Sequence, residues 1–127
     1  MTDTPLDRLG SGQYLLITSY RKNGTAVPTP VWVVRDGDTL CVWSAADAWK
    51  VKRIRARADV LVGPCDLRGN PTGDSVPGTA EICDRETSAH IRGLIARKYG
   101  VMGRLTLFGS RLRRGADGSV GIRVTLT

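Results

Sequence analysis

Apolar and polar positions alternate in short runs along most of the 127-residue chain. From Ser119 to Leu126, the residues Val120, Ile122, Val124 and Leu126 fall on one side, which is the two-residue period of a half-buried strand. The same reading predicts strands over Gln13–Tyr20, Thr25–Arg35, Thr39–Ser44, Asp59–Cys65 and Val76–Asp84. Three dipeptides, Asn23-Gly24, Asp36-Gly37 and Asp117-Gly118, mark hairpin turns, because such pairs tolerate the positive φ angles of tight hairpins. Pro28 and Pro30 remove two backbone donors from the second strand, so part of that strand belongs at an edge or on a ligand-facing rim.

The period changes twice to that of a helix. Asp47–Ala58 reads as one helix with Asp47 as its N-cap. A second runs from Asp84 or Arg85 to Tyr99, stopped by Gly100, with Ile91, Leu94, Ile95 and Tyr99 on one side. Leu105–Leu112 adds a short helix, and Asp66–Ser75 is a loop. No element is assigned to the polar extension Met1–Gly12. Several short strands in meander order with two or three helices predict a mainly β fold, a small antiparallel barrel forming a single domain over residues 1–127.

Leu40–Trp43 and Val60–Val62 are apolar on both faces. A lone barrel leaves one of those faces wet, so a helix or a second copy of the chain must cover it, and the pattern favours a homodimer.

Composition narrows the function classes. Lys and Arg number 19 against 12 acidic residues, a net charge of +7 that calls for an anionic partner: nucleic acid, an anionic membrane surface, or a phosphorylated or carboxylated small molecule. No apolar run is long enough to span a membrane, and the N-terminal stretch lacks the layout of a signal peptide, which makes the cytoplasm the expected compartment. Cys41, Cys65 and Cys83 are widely spaced, form no C-x-x-C pair and read as buried, reduced thiols. With His90 as the single histidine, no metal site is expected. His90 falls off the apolar face of its helix and reads as exposed. Neither a Ser-His-Asp set, nor paired carboxylates, nor a phosphate-binding G-x-x-x-x-G-K motif is present.

The densest charge lies in the first helix, where Lys50, Lys52, Arg53, Arg55 and Arg57 occur without an intervening carboxylate. On a helical wheel Val51, Ile54 and Ala58 form the docking face, and Lys50, Arg53 and Arg57 border one flank of it. Lys52 and Arg55 point toward water. Three cations beside a buried seam, with Ser44 and the free amides of a helix N-terminus nearby, fit a phosphate or carboxylate. On spacing alone, a solvated basic helix face is the favoured reading. Trp32, Trp43 and Trp49 lie close by in sequence, either as ordinary packing or as an apolar wall for a planar ring.

The order "GTAVPTPVWVV", "VWSAADAWKVKRIRARADVLVGPCDLRG" and a late "RKYG" resembles the split-barrel superfamily related to pyridoxamine phosphate oxidase. More narrowly, it is similar to the small flavin/deazaflavin oxidoreductases that use coenzyme F420. The likeness runs from Tyr14 to Thr127. It rests on P-x-P-V-W, on W-S-x-x-x-x-x-K-x-x-R and on K-Y-G. The resemblance implies a six-stranded FMN-binding split barrel, working as a homodimer with two cofactor sites at the subunit interface. It implies that Pro28, Pro30, Val31, Trp32 and Val33 run beside the tricyclic ring and offer it backbone groups. It further implies that Ser44 and Lys50 hold the cofactor phosphate, assisted by basic neighbours such as Arg53. Trp49 stands where flavin-binding relatives often carry Arg, a departure from ordinary FMN binding.

F420 carries an acidic oligoglutamate tail beyond its phosphate, and Lys52, Arg55 and Arg57, or Arg111, Arg113 and Arg114, offer it further cations. The function so implied is hydride transfer between F420 and a small unsaturated or conjugated substrate, with no proton donor evident. FMN on the same scaffold is the nearest variant. A non-catalytic flavin or deazaflavin carrier and a single-stranded nucleic-acid binder are the other readings. The last is disfavoured by a low aromatic content and by Trp residues set in apolar rather than cationic company.

Overall fold

Six antiparallel strands close into a barrel in the order β1-β2-β3-β6-β5-β4. The computed structural model describes residues 4–114 and 118–127, with side chains up to residue 100 and from 118 onward. The strands are β1 (Tyr14–Tyr20), β2 (Ala26–Asp36), β3 (Thr39–Ala45), β4 (Asp59–Pro64), β5 (Val76–Ile82) and β6 (Ser119–Leu126). Three helices join them among the described residues: α1 (Pro5–Ser11), α2 (Trp49–Ala56) and α3 (Arg85–Arg114). All six strands fall where the hydrophobic period places them, to within two residues at their ends.

Alternation builds the core. Leu15, Ile17, Val33, Leu40, Val42, Val60, Val62, Ile122 and Val124 point inward and are buried, each no more than 2% exposed. Two helices contribute to this core: Leu9 of α1, and Val51 and Ile54 of α2. At α1 the N-cap Thr4 and Asp7 form a reciprocal capping box, with Pro5 in the first turn. The polar composition of this stretch hides a helix that only its capping residues announce. Hairpin turns hold at Gly24 (φ 87°) and Gly37 (φ 60°), where the left-handed backbone favours glycine.

Two expectations are corrected and a third holds. Asp117-Gly118 is no hairpin, since the chain enters β6 there from α3, and Asp117 lies outside the described residues. Asp47 does not cap α2, whose N-cap is Ala48 with no side-chain bond. Gly100, left-handed at φ 61° and ψ −137°, does stop the helical run that begins at Arg85, and a second helical run continues α3 to Arg114, spanning the short helix expected at Leu105–Leu112.

α3 also answers the question raised by Leu40–Trp43. Cys41 of β3 packs with Val34, Ile91 and Ile95 in a second cluster, against which Trp43 and Trp32 rest. The outer face of β3 is therefore covered by a helix of the same chain, and its pattern does not by itself require a second copy. The Trp43 indole Nε1 is enclosed there without an acceptor among the described residues. Cys41 and Cys65 are buried thiols as expected, whereas Cys83 is only half-buried. Burial raises the pKa of all three above the usual thiol value.

Candidate functional site

The barrel is split along β2. Val33–Asp36 pair with β3, but Ala26–Trp32 pair only with β1. On the other side of the split, Trp43–Ala45 of β3 pair with β6 and not with β2. Pro28 and Pro30 lie opposite Thr18 and Leu16. Lacking N–H groups, they take the register positions that make no ladder bonds to β1. The carbonyls of Pro28 and Pro30, and the backbone pair of Trp32, therefore turn to the unpaired edge. The prolines thus mark an edge, as their missing donors require.

Side chains along this stretch follow the same parity. Pro28 and Pro30 are exposed, whereas Val31 and Val33 are buried in the core. By the same parity the Val31 backbone faces β1, and the Val33 backbone is engaged by Lys98 and Tyr99, so neither residue turns hydrogen-bonding groups to the open edge as the resemblance implied. Trp32 points outward and stacks on Tyr99 of α3, with ring centroids 4.4 Å apart and planes 7° from parallel.

Lys98 and Tyr99, the first two residues of the K-Y-G motif, finish β2 where β1 no longer pairs with it. The Val33 N–H donates to the Tyr99 hydroxyl at 3.1 Å. That hydroxyl in turn donates to the Gln13 carbonyl at 2.6 Å. The Lys98 ammonium donates to the carbonyls of Gly10, Gly12 and Val33 at 2.9, 2.6 and 2.7 Å. Lost hydration pulls the Lys98 pKa below its ordinary value, and burial pushes that of Tyr99 up. The sequence pattern flagged this motif as a likeness but gave it no task. Its signal is a Lys-Tyr pair at the end of an amphipathic run.

Across the split lies the step from β3 to α2. Ser44 is 4% exposed, on the inward face shared with Leu40 and Val42, and its hydroxyl donates to the Ala45 carbonyl at 3.0 Å. Lys50 sits half-buried in the first turn of α2. The cations expected along one flank separate. Arg53 turns to β1, where its Nε donates to the Ser19 hydroxyl at 2.7 Å. Partial burial, and then the charge of Arg21, pull its pKa below the ordinary guanidinium value. Arg57 stands at the C-cap, bound to Asp59 at 2.7 Å and lying 4.2 Å over the Tyr20 ring.

Lys52 is exposed but not idle. Its ammonium lies 4.4 Å from the centroid of Trp49, itself 71% exposed. The two join Arg53, Tyr20, Arg21 and Lys22 along an open groove of about 520 Å³ between α2 and the start of the β1–β2 hairpin. Trp49 therefore sits in cationic company, against the sequence-based expectation. The Arg111, Arg113 and Arg114 side chains lie outside those described. His90 is exposed as expected and pairs with Asp36 at 3.2 Å.

No family model matches the sequence, and no curated protein is similar to it in sequence. Solved structures do share its architecture. An F420 reductase superposes with a TM-score of 0.68 at 21% identity, covering 100% of this chain and 96% of that one. A putative pyridoxamine 5'-phosphate oxidase from Listeria innocua gives 0.64 at 16% identity, over 93% of this chain and 86% of that one. HutZ, a haem storage protein from Vibrio cholerae, gives 0.68 at 9% identity, over 92% and 83%. The chain has the split-barrel fold of these proteins. Identities this low carry the fold and leave the activity open, as the haem protein among them illustrates.

Proposed function

We propose that this chain is an F420-dependent oxidoreductase that transfers a hydride between the deazaflavin and a small unsaturated or conjugated substrate. The observation that carries the reading is the split itself. The open edge of β2 carries the Pro28 and Pro30 carbonyls, and β3, across the split, leads through Ser44 into α2, whose first turns bear Lys50 and Arg53. Such a cleft suits a flat, hydrogen-bonding ring with an acidic end. Oxidoreductase-like relatives with the same fold, an F420 reductase among them, add support.

When bound, the deazaflavin supplies the hydride donor or acceptor carbon. The chain's own groups position it. The Pro28 and Pro30 carbonyls accept ring N–H bonds, and the Trp32 backbone offers a donor and an acceptor. Ser44, Lys50 and Arg53 bind the phosphate, where each charge-assisted bond contributes about 1.5–3 kcal/mol. Arg57 is a weaker member of this set, because Asp59 already neutralises it. A homodimer would close the split from outside and exclude water from the transfer. No side chain is assigned as proton donor; His90 is held on α3 by Asp36.

FMN on the same scaffold is the second reading. Titrating purified protein with F420, FMN and FAD side by side tests both, followed by turnover with conjugated acceptors at the deazaflavin absorbance. Tightest binding of F420 with turnover supports the proposal. Binding without turnover indicates a carrier, and FMN binding alone moves the chain to the flavin variant.

A further inference from the structure

The groove between α2 and the β1–β2 hairpin is a poor place for hydride chemistry. Trp49 on its wall is 71% exposed, so water reaches whatever lies there. A small ligand in such a groove would bury too little of itself to bind through apolar contact. The groove's charge is the stronger feature. Arg21, Lys22, Lys52 and Arg53 line it, and no carboxylate is among the described residues that do so. Partial burial first, and then the charge of Arg21, lower the Arg53 pKa below the ordinary guanidinium value. Two aromatic side chains, Tyr20 and Trp49, are set among these cations, with Lys52 over one face of Trp49.

We infer that this groove binds single-stranded nucleic acid, a function distinct from hydride transfer, with Arg53 shared between the groove and the proposed phosphate site. An extended polyanion gains affinity from successive phosphates rather than from enclosure, which suits an open cationic track. The exposed face of Trp49 supplies a stacking platform for a base, tolerant of sequence because every base has a π-face. An acidic peptide would satisfy the cations but leave that face unused. The net charge of +7 on 127 residues draws such a strand in from solution.

The test is fluorescence anisotropy of a labelled oligothymidylate of about twelve nucleotides, a length within the site size of OB-fold single-strand binders. Binding is expected at about 50 mM salt, with a log–log salt slope of about −2 to −3 from three or four neutralised phosphates. Trp49→Ala should weaken binding about tenfold, the loss of one base stack. Paired Lys22→Glu and Lys52→Glu changes should abolish it. Since these residues are exposed, unaltered thermal unfolding of each variant shows that the fold is kept. No binding at low salt overturns the inference. So does binding indifferent to Trp49→Ala, or equal competition by polyglutamate of matching charge, which would mark an acidic-peptide surface.

Discussion

The rings of Trp32 and Tyr99 lie face to face, 4.4 Å between centroids. The same Tyr99 hydroxyl accepts the Val33 N–H, one residue further along β2. One side chain therefore ties α3 to the outer face of β2 by stacking and to its backbone by a hydrogen bond. This happens where β2 leaves β1 for β3, at the root of the split that would hold a cofactor ring.

Replacing Tyr99 by Phe keeps the stack and strands the buried Val33 N–H. The expected cost is about 1–3 kcal/mol, the desolvation penalty of an unmet donor. Urea unfolding measures it. A loss within error would mean that water replaces the hydroxyl and that the stack alone joins the elements.

Gly121 of β6 has no room for a side chain. A Cβ there would come within 2.6 Å of Ile91 Cδ1 and 3.4 Å of the Ser88 Cα on α3. Its N–H donates to the Ser88 hydroxyl at 2.9 Å. Gly121→Ala should push α3 off the barrel and destabilise the protein by about 1–3 kcal/mol. A chemical denaturation midpoint equal to that of the parent would show that Ile91 yields instead.

Lys50→Ala and Arg53→Ala should each weaken F420 binding about tenfold or more, through loss of a charge-assisted bond to the phosphate. Fluorescence titration reads the effect, and Arg53→Lys should retain part of the affinity. Unchanged affinity in both alanine variants would remove the helix start from the site.

Stability should fall in acid because several aspartates are held ionised. Asp66 accepts the Arg68 and Asn70 amides at 2.9 Å each and the Asn70 side chain at 3.0 Å, and these bonds, led by Asn70, lower its pKa below 3.8. Arg57 does the same for Asp59, and Thr4 with Arg35 for Asp7. A depressed folded pKa gives stability that is present above about pH 4 and lost as pH falls through the folded value. Asp66→Asn should flatten that acid limb, as read by thermal unfolding between about pH 5 and 2. An unchanged slope would mean that Asp66 contributes nothing to acid lability.

The strands were legible because each has one face in the core and a two-residue period records it. The edge character of Pro28 and Pro30 was legible because proline lacks the donor a ladder requires. α1 was not, since its seven residues are too few for an apolar period and only the Thr4–Asp7 box marks it. The helical wheel put Lys50, Arg53 and Arg57 together, but a wheel ignores partners. Ser19 and Asp59, from other strands, draw Arg53 and Arg57 apart. Trp49 looked like packing because an indole is mostly apolar, and its exposure depends on which face of α2 the barrel takes.

By itself, then, the sequence determined a small basic antiparallel barrel, its strand positions, and a cationic helix next to a proline-bearing strand. These follow from local period and side-chain chemistry, which need no distant contact to be read. The tertiary structure alone decided that the outer face of Leu40–Trp43 is covered by α3, that Lys98 and Tyr99 complete the backbone of β2, and that Trp49 stands in a cationic groove. Each of these joins residues far apart in the chain, and closure of the barrel is what brings them within reach.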